Sequence, residues 1–569
     1  MRSPLRWSAA AVALVALVAS ACSSSSSNSQ GGVTHTGGTM RLAVVGLDSL
    51  NPAQIVPTNL ADMVAVNLLD RGLTAIDPTH NQAVPALATK WVSNAPKTKA
   101  TASTGGSATT VPPPPATVGT TWTFTIDSRA KFADGSAVTP AEIISSLTTV
   151  ARKGNSTLAG ARLDIIRGYA SLVSGKSTTL SGLRAGDGTV SITTNAPDAE
   201  LPLLLASPVY AVVKAGHEGT TTATQSTTQG TAGTPAPLVA PQGSGSFRLL
   251  SDDGSTLRLV RSNGSPAELD EVDLIRQPDA TTALAAVHDG QADWAAVPPD
   301  KKATATGGHV GYTMQSPLGA EEFFGINLAS PTFASPLFRR AIIVAVNRNA
   351  VVSSALPGLE VSAGVVPAGV PGSVSDPCGS SCDYSQVTAK ALLAQAFPNG
   401  QIPTVEIDTD DDPGDVALAN AVGAQLTAVG IPVQVTPKAF ASYQSFITTG
   451  KQQLFRTGWV GLWPSAGAYL SPLFRSTSLD NSTAFNSAVV DSQLAAAQAT
   501  ASGSKRQLDY QALQTTIMAD YAVLPLASFT QVLALANRVN HYAPRLDGTF
   551  NVDKVEVTGS VGTTGTTAK

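Results

Sequence analysis

The residues of this chain able to do chemistry are few and far apart. Six histidines, His35, His80, His217, His288, His309 and His541, stand scattered without ligand spacing, and neither a GxSxG nor an HExxH pattern occurs, so catalysis leaves no local signature. Asp408, Asp410 and Asp412 imitate the start of a calcium loop, but Pro413 follows where glycine is needed and Ala419 holds the twelfth position. Those acids fit better as partners of a helix N-terminus. Gly168 to Ser177 imitates a phosphate loop with the wrong glycine spacing and no helix signal behind it. Cys378 and Cys382 lie in a Gly/Ser loop, CGSSC, with no further ligands nearby in sequence; a small disulfide is their expected state in an oxidising exterior. The third cysteine, Cys22, ends an apolar run. Trp459, Trp463 and Tyr469 suit either stacking on a ligand or packing a core, and Gly458 and Gly461 suit a close backbone approach.

The elements that must position these residues are legible in outline. Arg2 and Arg6 precede an apolar run over 9–19, long enough for a leader but short of the roughly 20 residues that span a bilayer. The run ends in Ala19-Ser20-Ala21-Cys22, similar to the lipobox of bacterial lipoproteins, with Ala19 where leucine is usual; residues 1–21 read as a signal peptide and 22–36 as a lipidated flexible tether. The chain has 569 residues, 43% of them hydrophobic, enough for two or three packed lobes. A net charge of −4 offers no field for nucleic acid. Low-complexity inserts at 96–120 and 216–241 and a tail from 558 read as mobile surface segments. Between them, TWTFTI from Thr121 alternates as a half-buried strand, and Thr139-Pro140-Ala141-Glu142 opens a helix with a threonine cap and a glutamate in the capping-box place. TVEIDT, a helix carrying Leu418, Ala421, Val422, Leu426 and Val429, the stop Gly430, and IPVQVTP form a strand, helix, strand unit. Asp134-Gly135 predicts a tight turn, and 338–352 an amphipathic helix with Ala341, Ile342, Ala345 and Val346 on one face.

The order of GGTMRLAVVGLDSLNPAQ, NLLDRGLTAIDP, AVPALATKW, TWTFTIDSRAKFADGSAVTPAEI, QGSGSFRLL, FFGINLASPTFASPLFRRAIIVAVNRNAVV and TGWVGLWP resembles the family 5 extracellular solute-binding proteins, the peptide, dipeptide and nickel receptors of ABC importers. That resemblance implies an α/β, two-lobed periplasmic-binding-protein type II fold (cluster C) with an extra domain inserted in lobe I. Lobe I would comprise 37–58, 184–317 and 516–557, the inserted domain 59–183, and lobe II 318–515, with 558–569 a disordered tail. It implies capture of a peptide-like or amphipathic solute by lobe closure, delivery to an ABC permease and its ATPases, a monomer held at the extracytoplasmic face of the membrane by lipid on Cys22, and no enzyme activity, cofactor, metal or nucleic acid. Gln54, Ile55 and Val56 match the segment that faces ligand backbone; Phe323, Phe324 and Asn327 stand at the crossing into lobe II; Gly458, Trp459, Val460, Gly461, Leu462, Trp463 and Tyr469 complete the expected ligand site. Peptide receptors of the family often carry an aspartate where this chain has Leu462, and no acid occurs between Phe455 and Asp480. The site therefore either leaves a ligand amine solvated or takes a solute without one. A second expectation is a regulatory lipoprotein of cell-envelope lipoglycan synthesis, a role that some actinobacterial lipoproteins of this fold serve.

Overall fold

The computed structural model describes residues 37–94, 117–219 and 237–558. The leader, Cys22, the tether, most of both low-complexity inserts and the tail after 558 lie outside the described residues.

A mixed sheet of 11 strands runs through the molecule in the order Val433–Lys438, Val405–Asp410, Leu454–Val460, Val310–Ile326, Val523–Ala536, Trp294–Ala296, Thr39–Val44, Glu271–Arg276, Thr256–Arg261 and Phe247–Asp252, with Glu360–Val361 added beside Val523–Ala536. Two of these strands are long enough to serve two cores. At one end Met314 and Gln315 pair with Leu533 and Val532; at the other Phe323 to Gly325 pair with Pro525 to Val523 and with Thr457 to Phe455. The register breaks between Pro317 and Glu321, where proline cannot donate to a ladder and Gly319 turns its N–H to the Leu546 carbonyl at 2.7 Å. Around Thr39–Val44 lies a core of Met40, Leu42, Phe247, Leu257, Val272, Trp294 and Leu535, within the spans expected for lobe I. Phe324, Phe338, Ile342, Ile407, Leu418 and Val422, from the span expected for lobe II, form another core together with Leu524, and Tyr469, Phe474, Leu494 and Tyr510 one more with Ile517, although 516–557 was expected in lobe I.

A separate antiparallel sheet, in the order Ala88–Ser93, Thr121–Ile126, Thr189–Thr193 and Leu183–Gly186, lies mostly in the span expected for the inserted domain. The alternation of TWTFTI buries Trp122, Phe124 and Ile126 on the face covered by Ile143, Leu147 and Val150 of helix Pro140–Arg152. Thr139 caps that helix as expected, accepting from the Glu142 N–H, while the Glu142 carboxylate turns to the Ala215 N–H at 2.9 Å. The expected boundary at 183/184 passes through this sheet, and the core beneath it continues through Leu201, Leu204, Val209 and Val212.

The strand, helix, strand unit stands as read, with Val405–Asp410 and Val433–Lys438 parallel and helix Pro413–Ala428 between them, Gly430 leaving it at φ +99°. Gly135 takes φ +84° in its turn. The single helix expected over 338–352 is instead two, Pro336–Ala345 and Arg348–Ala355. Asn347 breaks the run: its side chain caps the second helix by accepting from Ala350 N–H, and its own N–H is drawn to Gln425 Oε1 at 2.6 Å. The ends of the inserts are docked, contrary to their reading as surface segments: Val118 and Leu238 are buried, in the inserted-domain and lobe I cores respectively. Cys378 and Cys382 form a disulfide.

Candidate functional site

The two long strands and the cleft strand Leu454–Val460 meet at a cavity of about 660 Å³, where the register break lies. The cleft strand is built to have a free edge. Its outer neighbour, Val405–Asp410, pairs with it only at Leu454 and Phe455. Beyond that the Arg456 carbonyl accepts from the Tyr443 hydroxyl at 2.5 Å, and Gly458 and Val460, alternating with Arg456, direct their N–H and C=O groups to the same edge. Gly461, of the other parity, donates inward to the Gly319 carbonyl at 2.8 Å.

The glycines in this strand let chains approach closely. A Cβ on Gly458 would stand 2.8 Å from the Glu321 carbonyl, and one on Gly461 would stand 2.5 Å from the Tyr469 ring. Trp459 is half-buried, its Nε1 donating to the Ala468 carbonyl at 2.8 Å, with the Arg162 guanidinium 5.8 Å from its ring centre.

Of the residues expected at the site, Phe323, Gly458, Trp459, Val460, Gly461 and Leu462 line the cavity. The others do not. Gln54 and Val56 are exposed and Ile55 is buried in the inserted-domain core, while the following Pro57 and Thr58 reach the cavity wall. Phe324, one residue out of phase with Phe323, packs in the lobe II core. Asn327 is buried as a brace, donating to the carbonyls of Gly450 and Gln452 at 3.0 and 2.8 Å. Tyr469 is fully buried beneath Gly461, and Trp463 donates to Glu200 at 3.0 Å. Leu462 packs into the inserted-domain core while still meeting the cavity.

Sequence reasoning missed the charged wall. Glu321 and Glu322 on the first long strand, Arg456, Asp480 and Asp547 all line the cavity. The signal was visible, since two glutamates inside the apolar run GAEEFFGI break the pattern of a buried strand. Glu322 pairs with Arg456 at 2.8 Å, and the same guanidinium reaches Asp415 at 3.2 Å. Burial holds the Glu322 carboxyl up at about 8, the Arg456 charge opposing it. Glu321 is also pushed up to about 8 by burial, although hydroxyls of Ser528 and Ser362 donate to its Oε1 at 2.5 and 3.3 Å. Asp480 is ion-paired with Arg162.

Glu200, 1% exposed, ties its segment to residues 463–510: it accepts from Trp463 Nε1 at 3.0 Å, Arg506 Nε at 3.1 Å, Tyr510 hydroxyl at 3.3 Å and the Ser465 hydroxyl. Backbone bonds from Val118 N to Ala499 O and from Ala199 N to Gln498 O, both 2.8 Å, flank it.

Among the described residues no group of three or more His, Cys, Asp or Glu is placed to hold a metal, and no helix is long and apolar enough to cross a membrane. The acids at 408–412 are structural. Asp408 takes Lys438 Nζ at 2.8 Å and Gln453 N–H at 3.0 Å, and Asp412 caps helix Pro413–Ala428.

Comparison with known proteins gives one consistent answer. The profile of the bacterial extracellular solute-binding proteins, family 5 middle region, matches residues 82–481. The glutathione-binding protein GsiB of Escherichia coli (strain K12) is 29% identical over 272 residues, covering 46% of this chain and 52% of that protein. The chain thus spans about half the length of the curated relatives it matches. Among solved structures, the Escherichia coli murein tripeptide binding protein MppA superposes with a TM-score of 0.66 at 20% identity, covering 93% of this chain and 100% of the other. HbpA2 from Haemophilus parasuis gives 0.70 at 18% identity, covering 92% and 100%. These likenesses give the fold as two-lobed, of the periplasmic-binding-protein kind.

Proposed function

The chain belongs to the bacterial extracellular solute-binding proteins of family 5, and from that premise we propose that it is the lipid-anchored receptor of an ABC importer, capturing a peptide-like or amphipathic solute between its lobes and delivering it to a permease. The observation that carries this reading is the open edge of the cleft strand facing a cavity of about 660 Å³. An extended ligand backbone can complete the ladder there, bonding to the main-chain groups of Gly458 and Val460, while its side chains meet Phe323, Trp459 and Leu462. Recognition through main chain tolerates varied side chains, which suits a receptor for a class of solutes.

Relatives support the solute class. One is a glutathione-binding protein, and a structural neighbour is named for a murein tripeptide; both solutes are short and peptide-like. The action is binding and domain motion without covalent chemistry, and the two long strands that pass between lobes are the natural hinge. We further propose a lobe I of 37–70, 213–317 and 529–557, an inserted domain of 71–212, and a lobe II of 318–528; this keeps the sheet of the inserted domain whole, leaves helix Leu60–Leu69 with the core around Thr39–Val44, and keeps Ile517 and Leu524 with the cores they pack in. Lipid on Cys22 would hold the chain at the extracytoplasmic face as a monomer, with the permease as its membrane partner.

The test is native mass spectrometry of the protein purified from a cell envelope, followed by denaturing release of what copurifies. A population of short peptides or related small solutes supports the reading. A protein that is empty and also ignores peptide pools, or one that carries an envelope glycolipid, moves it to the regulatory role.

A further inference from the structure

We propose that the Tyr443 side chain is the stop that fixes how much solute backbone the cleft strand can pair, and that the length it fixes is three residues. The inference rests on the peptide-receptor reading and adds to it the residue that measures the solute.

The free edge of the cleft strand is bounded at both ends. Pairing with Val405–Asp410 stops at Phe455, and the next edge-facing carbonyl, that of Arg456, is already taken by the Tyr443 hydroxyl at 2.5 Å. At the other end the strand finishes at Val460, and the Gly461 N–H turns inward to the Gly319 carbonyl at 2.8 Å. The next residue that alternation would bring to the edge, Leu462, is buried in the inserted-domain core. Gly458 and Val460 remain between these ends. Among the described residues their edge-facing groups have no partner closer than the Thr457 hydroxyl, 3.5 Å from the Gly458 carbonyl and too far to satisfy it. Two edge residues of one parity pair with two alternate residues of an added strand, so the paired segment of solute is three residues, about 10 Å when extended.

Tyr443 is held in place. It is 3% exposed and belongs to helix Phe440–Ile447, which turns Tyr443, Gln444 and Ile447 to the cavity wall. Its hydroxyl also stands 3.3 Å from the carbonyl of Asp408, the last residue of the outer strand to pair with the cleft strand. Lys438, two residues before the helix, ties it to that strand: its ammonium donates to Asp408 Oδ1 at 2.8 Å and lies 4.3 Å from the Phe446 ring centre. A fourth paired residue would have to bring its N–H to the Arg456 carbonyl, where the Tyr443 hydroxyl already stands, and so would have to displace a buried, tethered side chain. Growth in the other direction gains no main-chain partner and meets Leu462 and Leu546, the latter fixed by the bond from the Gly319 N–H to its carbonyl at 2.7 Å.

The experiment is calorimetric titration of the full chain in detergent with mixed-sequence peptide libraries of one length each, from two to six residues. Wild type is expected to bind the tripeptide library at least about fivefold more tightly than any other. Tyr443→Leu, which removes ring and hydroxyl but keeps an apolar side chain in the helix, should bring the tetrapeptide library within about twofold of the tripeptides. A maximum at another length in wild type, or affinity that stays flat beyond three residues, overturns the three-residue limit and leaves the receptor reading standing. A folded Tyr443→Leu chain that keeps the wild-type penalty on tetrapeptides overturns the role of Tyr443. Failure of every library to bind wild type rejects the receptor reading, and the limit with it. A second measurement needs no variant. Saturating tripeptides should slow amide hydrogen exchange at Gly458 and Val460 and leave helix Phe440–Ile447 unchanged, whereas saturating tetrapeptides should speed exchange in that helix at least about threefold, because it must give way. Equal exchange of the helix under both libraries overturns the stop.

Discussion

At the scale of single residues, the site is decided by contacts a few ångströms long. Gly461 has no room for a side chain above Tyr469, so Gly461→Ala is expected to lower stability by about 1–3 kcal/mol, measured by denaturant unfolding, and to weaken solute binding by lifting the cleft strand. Trp459 is half-buried and tied by one bond, so Trp459→Ala should weaken binding while costing less stability than removal of a fully buried ring such as Tyr469. Glu321 and Glu322 are held up at about 8 against an ordinary 4.5, so their folded forms bind protons more tightly than the unfolded chain. That contribution to stability is fully present below about pH 4.5 and is lost as pH rises through 8. Glu321→Gln removes one of the two terms, and unfolding midpoints of the variant should fall less steeply with pH over that window than those of wild type. An unchanged slope would mean that Glu321 titrates normally.

Among elements, one buried acid ties the region around residue 200 to residues 463–510, beside the Arg162–Asp480 ion pair and two backbone bonds. Glu200 gathers four donors from residues 463–510, and Glu200→Ala would strand the Arg506 charge in a buried site. A loss of about 3–5 kcal/mol is expected, with unfolding that separates into two transitions if the domains uncouple, visible by calorimetry. The Cys378–Cys382 loop lies on helix Pro336–Ala345, Arg340 donating to the Ser381 carbonyl at 2.9 Å. Its short span limits the chain entropy it removes, so Cys378→Ser should cost about 2 kcal/mol and leave binding unchanged. Elements were where the sequence read best. TWTFTI became Thr121–Ile126 because strict alternation with β-branched and aromatic residues has one way to bury itself, and Thr139-Pro140 started a helix because cap and φ preference agree. The run over 338–352 misled because its apolar period continues through Asn347, whose bond to Gln425 is a long-range contact that period cannot express.

For the whole molecule, closure of lobe II on lobe I is the expected response to solute. Small-angle scattering should show a smaller radius of gyration on addition of a binding peptide, and Trp459→Ala should shift the concentration needed. Membrane attachment is tested separately: the full chain should partition with detergent and Cys22→Ala with the aqueous phase. The amino-acid sequence by itself determined the fold class, the strand and helix units, the disulfide and the family, because all of these follow from local period, turn chemistry and the order of motifs along the chain. It also pointed to the segment from Gly458 to Leu462 as part of the site, and those residues line the cavity. Only the tertiary structure decided that Phe323 lines the cavity while Phe324 packs in a core, and that the adjacent Glu321 and Glu322 both reach it, since alternation along a strand does not say what packs against either face. The charged wall likewise belongs to the tertiary structure. Glu321, Arg456, Asp480 and Asp547 come from well-separated points in the chain, and only strand pairing and lobe contact bring their charges to one place.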